Sequence, residues 1–197
     1  GITTGFNKRL YYRSLDLRKP GVKAIFKIQS VAINAFREFF YKKDFIEIQP
    51  PQIIATSTEG GTDLFPLKYF EKDAYLAQSP QLYKQLVAIS LEKVFSTSPV
   101  WRAEKHNTPR HLNEIKQLDI EVAFADEFKV MKLQEEAMIF IIKKVIEECK
   151  EELRILNVKL EIPKTKYLRY KEIINLLKKN KIKIKYGDDF EPDVENK

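Results

Sequence analysis

The stretch PVWRAEKHNTPRHLNEIKQLDIE, residues 99–121, crowds Arg102, Glu104, His106, Arg110, His111, Glu114, Asp119 and Glu121 together. Charges this dense ordinarily mark a solvated loop, yet Val100, Trp101, Leu118, Ile120 and Val122 alternate with them. Side chains two apart on a strand share a face. The alternation therefore predicts two paired strands, KVFSTSPVWRAE (93–104) and NEIKQLDIEVAF (113–124). Arg102, Glu104 and Val100 are expected on one face with Gln117, Asp119 and Glu121, and Trp101, Leu118, Ile120 and Val122 on the other. Burying so many charges without partners costs several kcal/mol each. The face reads as the floor of a wet, concave site, or as the open side of a half-exposed sheet.

The connection KHNTPRHLNE (105–114) carries more than a hairpin needs for turning: two histidines and an arginine around Pro109. Arginine forks and imidazole donors make a polyphosphate grip. Glu104 is suited to accept from an exocyclic amine.

Outward from this centre, Ile25, Ile28, Ala32, Ala35, Phe36, Phe39 and Phe40 recur at helical spacing, predicting a helix from Val22 to about Lys43. DFIEIQPPQII (44–54) reads as a short strand stopped by Pro50 and Pro51. ATSTEGGTDLFP (55–66) is a loop, DAYLAQS a strand, and PQLYKQLVAISL a helix with Pro80 in its first turn. A long amphipathic helix is expected over roughly 127–150, a shorter one near 170–180, and a strand at KIKIKY (181–186). The fold class is α+β: an antiparallel sheet flanked by helices.

A 44% apolar fraction is that of a folded chain. The formal charge of +7 suits a polyanionic partner, and equally a lysine-rich surface. Cys149 is the single cysteine, so no intrachain disulfide forms, which fits a reducing cytoplasm. His106 and His111 lack partners at zinc spacing, and no apolar run reaches the roughly 20 residues that span a bilayer.

VWRAE, HNTPRHLNE and QLDIEVAF together resemble the second signature motif of class II aminoacyl-tRNA synthetases, in the archaeal/eukaryotic aspartyl form. TSTEGGTDLFP (56–66) is similar to that family's mobile loop over the amino-acid pocket. AQSPQLYKQ (77–85) is similar to its aspartate-recognition segment. FFYKKDFIEIQPPQI (39–53) looks like motif 1, the dimer-building helix and strand, with Pro51 in the signature position. RLYYRSLDLRK (9–19) resembles the connector to an anticodon-binding domain.

The resemblance implies an ATP-dependent aspartate–tRNA ligase, with aspartate, ATP, Mg²⁺ and tRNA as reactants and a homodimer built through motif 1. It implies that Arg102 holds the ATP α-phosphate, Glu104 reads the adenine amine, and Arg110 and His111 steady the outer phosphates. Lys84 would pair with the aspartate side chain, Gln81 and Asp119 would position the ammonium and Lys84, and Glu59 would close over the substrate. Residues 1–20 are expected to be an arm or connector, and 21–197 part of a catalytic domain. The family's third motif and the acids expected to hold Mg²⁺ have no counterpart in the sequence. A piece of a longer synthetase is the favoured reading. An aspartate-adenylating amidation paralogue and a non-catalytic relative binding nucleotide, RNA or a synthetase stand beside it. Asp44, where motif 1 usually has glycine, is expected to strain the turn after the first helix.

Overall fold

Pro20 opens the first long helix at the position where its missing N–H costs nothing. In the computed structural model of the protein, the described residues are 4–57, 64–105, 112–182, 184–188, 190 and 194. They fall in two compact units, Gly1–Ile162 and Pro163–Lys197.

The first unit begins with two short helices, α1 (Phe6–Tyr11) and α2 (Arg13–Asp16), followed by α3 (Pro20–Tyr41). Then come β1 (Ile46–Glu47), β2 (Ile53–Ile54), β3 (Pro66–Tyr69), β4 (Lys72–Leu76) and α4 (Gln81–Leu91). The hairpin β5 (Lys93–Trp101) and β6 (Glu114–Val122) precedes α5 (Glu127–Glu148) and α6 (Lys150–Ile155). Asp126 caps α5 by accepting from the Lys129 N–H at 2.8 Å.

Two small sheets form. One has the order β1-β5-β6 and the other β2-β4-β3. The β5–β6 ladder is antiparallel and runs from Lys93 opposite Val122 to Trp101 opposite Glu114. β1 joins β5 in parallel, so the expected purely antiparallel sheet is mixed at this edge.

α3 buries Ala35, Phe36, Phe39 and Phe40 of the expected stripe, and Val31 beside them, but Ile25 is exposed and Ile28 and Ala32 are half-buried, so the N-terminal half of the stripe is corrected. Phe36, Phe40, Phe45 and Phe95 meet with ring centroids 4.7 to 5.9 Å apart. Such pairs add ~0.5–1.5 kcal/mol each beyond the burial of their area. Ile120, Val122, Leu133, Phe140 and Ile141 pack around this cluster, so the back of the hairpin seats on α3 and α5.

The long helix expected over roughly 127–150 is α5, and Cys149 (φ −116°, ψ 33°) ends it and begins α6. β3 takes Pro66 from the end of the expected loop and pairs with β4 through residues 67–72, which the pattern assigns to no element. One expected element fails. The described residues of KIKIKY form no strand: Lys181 (φ 62°) donates its N–H to the Lys178 carbonyl in a turn after α7 (Tyr170–Lys179). Alternation alone does not make a strand when no ladder partner is present.

Candidate functional site

The register confirms the shared face. Val94 stands opposite Glu121, Ser96 opposite Asp119, Ser98 opposite Gln117, and Val100 opposite Ile115. α4 packs against both β5 and β6. Val94, Ser96, Ser98 and Val100 are all buried, whereas Asp119 and Glu121 keep partial exposure. The site is therefore α4 packed over this face of the hairpin, with Asp119 and Glu121 at its partly exposed side.

Lys84 faces inward from α4 and is only 3% exposed. A buried ammonium needs compensation, and its Nζ lies 2.5 Å from Asp119 Oδ1 and donates to the Ile120 carbonyl at 3.2 Å. Glu121 Oε2 stands 3.6 Å away. A lysine has three donors, so these two bonds leave one for another anion. Gln81, one turn earlier, reaches Glu121 Oε2 at 3.5 Å. Ser79 Oγ accepts the Gln81 N–H at 3.1 Å and fixes the first turn of α4. Gln78, wholly buried, accepts from the Ser57 hydroxyl at 3.1 Å and ties the stem of the 55–66 loop to the end of β4.

At the other end of the face, Arg102 and Glu104 lie beyond the strand, which stops at Trp101. This corrects the expectation that both project from β5. The Arg102 N–H bonds the Asn113 carbonyl at 3.0 Å, and the Glu104 N–H turns back to the Arg102 carbonyl at 2.7 Å. That i to i+2 bond is a three-residue turn, which cancels the simple two-residue alternation. Glu104 instead lines a cavity of about 430 Å³ with Leu64, Phe65, Ala103, Lys105 and Asn113.

The structure thus brings Lys84, Gln81 and Asp119 together and sets Arg102 and Glu104 further along the same hairpin. Glu59, Arg110 and His111 lie outside the described residues. Glu121, Gln78 and Ser57 join the site without having been singled out. Glu121 was visible as a same-face neighbour of Asp119. Gln78 and Ser57 gave no periodic signal, because both lie where strand gives way to loop.

Residues 6–194 match the family model of class II tRNA synthetases (D, K and N). The aspartate–tRNA(Asp) ligase of Pyrococcus furiosus is 51% identical over 198 residues, covering 98% of this chain and 45% of the relative. The aspartate–tRNA(Asp/Asn) ligase of Sulfurisphaera tokodaii is 50% identical over 191 residues, covering 95% and 44%. The chain therefore spans a little under half the length of these relatives. Among solved structures, asparaginyl-tRNA synthetase from Pyrococcus horikoshii complexed with asparaginyl-adenylate superposes with a TM-score of 0.89. It is 36% identical and matches over 98% of this chain and 45% of its own. Aspartyl-tRNA synthetase from Entamoeba histolytica gives 0.80 at 34% identity, over 99% and 38%. By these matches the chain belongs to the class II tRNA synthetase family, in the group that serves aspartate, lysine and asparagine.

Proposed function

We propose that this chain carries the aspartate-activating site of an aspartate–tRNA ligase. The observation that carries the reading is Lys84, buried, held by Asp119, and left with one donor. Lys84 and Arg102 contribute two positive charges to the face, and Asp119 and Glu121 two negative ones. Aspartate fits this set: its side-chain carboxylate meets the remaining Lys84 donor, and its ammonium meets the acids of the face with Gln81 beside them. Asparagine would present an amide to a desolvated ammonium, which loses a charge-assisted bond worth about 1.5–3 kcal/mol.

ATP then lies along the hairpin, with Arg102 on the α-phosphate, Glu104 accepting from the adenine amine, and Arg110 and His111 on the outer phosphates. The aspartate α-carboxylate oxygen attacks the α-phosphorus, the bond to the β-phosphate oxygen breaks, and pyrophosphate leaves. No protein nucleophile takes part; alignment and charge neutralisation lower the barrier. The adenylate next passes its aspartyl group to the terminal ribose of tRNA. Glu59 closes over the amino acid.

Mg²⁺ is an expected companion of ATP, but among the described residues no group of three or more His, Cys, Asp or Glu side chains is placed to hold a metal. Among the described residues no helix is long and apolar enough to cross a membrane, and the reading places the enzyme in the cytoplasm. The same reading makes residues 1–20 a connector, with Asp16 gathering Arg9, Arg13 and Lys19 at 2.7 to 2.9 Å. It also makes the motif 1 region a dimer surface. The outer edge of β1 is unpaired among the described residues, and Tyr41 and Ile46 beside it are exposed.

The test is calorimetric aspartate binding and aspartate-dependent ATP–pyrophosphate exchange, with asparagine as control and Lys84→Ala alongside. Aspartate is expected to bind in preference to asparagine, and Lys84→Ala to weaken it by roughly tenfold to 150-fold. Equal affinity for asparagine, or a Lys84→Ala variant that binds aspartate normally, would overturn the assignment.

A further inference from the structure

On the face that carries Lys84, two rows of the β5–β6 hairpin are polar where the rows beside them hold valine or isoleucine. Ser96 is 0% exposed and Ser98 3%. Neither hydroxyl finds a hydrogen-bond partner among the described residues, and neither does the buried Oε1 of Gln117. An orphaned buried hydroxyl costs free energy that alanine at the same place would not. Folding alone gives no reason to keep one at Ser96.

The register supplies a reason. Ser96 stands directly opposite Asp119, as a cross-strand pair whose Cβ atoms are about 4.5–5.5 Å apart. In the structure the Asp119 carboxylate is drawn to Lys84. Resting on the assignment of Lys84 to the substrate carboxylate, we propose that Ser96 is a positioning residue for Asp119. When the incoming carboxylate competes for Lys84 Nζ, the Ser96 hydroxyl donates to the second oxygen of Asp119. Asp119 is thereby kept in place and Lys84 stays centred on the substrate. The hydroxyl is unpartnered in the free chain because its bond belongs to the loaded state.

This arrangement makes two effects of one mutation run in opposite directions. Ser96→Ala removes an unsatisfied group from the free chain, so its denaturation midpoint is expected to hold or rise. The same change is expected to weaken aspartate binding by about threefold to tenfold, the loss of one hydrogen bond. ATP binding at the Arg102 end is expected to be unaltered. Ser98→Ala, one row away and opposite Gln117, is the control and is expected to bind aspartate as the parent chain does. The experiment is titration calorimetry with aspartate and with ATP on the parent chain and both variants, beside urea unfolding without ligand. A Ser96→Ala variant that binds aspartate like the parent would overturn the proposal. So would one that loses stability and aspartate affinity together, which marks a packing role. A parent chain that binds no aspartate at all would instead overturn the functional assignment, and this inference with it.

Discussion

The two faces of β5 carry similar chemistry and finish it differently. On the back face, Thr97 accepts from Arg37 Nη2 at 2.5 Å and donates to Glu47 Oε1 at 2.9 Å. Glu47 also accepts from Arg37 Nε at 3.0 Å and from the Tyr41 hydroxyl at 2.8 Å. Helix α3 and strands β1 and β5 are joined by a ring in which each of these side chains has a partner. On the front face, Lys84 keeps a donor in hand and Ser96 an unmatched hydroxyl. A closed polar network holds a fold together. An open one costs stability and is retained where a ligand completes it.

That contrast can be broken most severely at the ring under the back face. Phe95→Ala removes a fully buried side chain from the centre of the aromatic cluster. It is expected to cost about 3–5 kcal/mol in urea unfolding and to lower aspartate affinity only as far as the fold is lost.

Glu47→Gln sharpens the comparison with a smaller effect. It should cost about 1–2 kcal/mol, because Arg37 and Thr97 lose a charged acceptor in a partly buried setting. Aspartate binding should be unchanged. The same residue sets a pH test. Burial alone would raise the Glu47 pKa, but hydrogen bonds from Tyr41, Thr97 and Arg37 outweigh it and hold the carboxyl below its ordinary value. A depressed acid stabilises the fold at pH above its unfolded value, about 4.3. That contribution is lost as the pH falls through the folded value. Between about pH 5 and pH 3, the parent chain should therefore lose more stability than Glu47→Gln in matched unfolding curves. Equal losses would show that the back-face network is electrostatically idle.

The smallest expected change lies at the turn that delivers β1 to this network. Asp44 has φ 62°, and the Phe45 N–H reaches back to the Phe40 carbonyl at 3.0 Å. The strain anticipated for a non-glycine residue there is real, since a Cβ in the left-handed region is disfavoured. Asp44→Gly should raise stability by about 0.5–1 kcal/mol and leave both faces of β5 as they are.

The charged hairpin shows how far local pattern reaches. That Asp119 and Glu121 share a face, with Ile120 and Val122 behind, follows from two-residue alternation and needed no coordinates. Lys84 and Gln81 could be placed on one helical turn from their i, i+3 spacing. The C-terminal half of the α3 stripe, Ala35 to Phe40, was equally legible, whereas Ile25 kept the spacing and stayed exposed. Periodicity has a limit at strand ends: Arg102 and Glu104 obeyed the pattern on paper, but a three-residue turn took over once β5 ran out of ladder.

The sequence by itself determined the class of fold, the two long helices, the hairpin and the family, since each depends on residues close in the chain or on motifs in a fixed order. Only the tertiary structure decided that Lys84 is buried against Asp119, 35 residues away. It also decided that β1 lies parallel to β5, that the described residues of KIKIKY join no ladder, and that Ser96 is left unpartnered opposite Asp119. The physical reason is common to all four. Burial and hydrogen-bond pairing are settled between segments distant in sequence, and no local pattern records which partner a buried polar group will find.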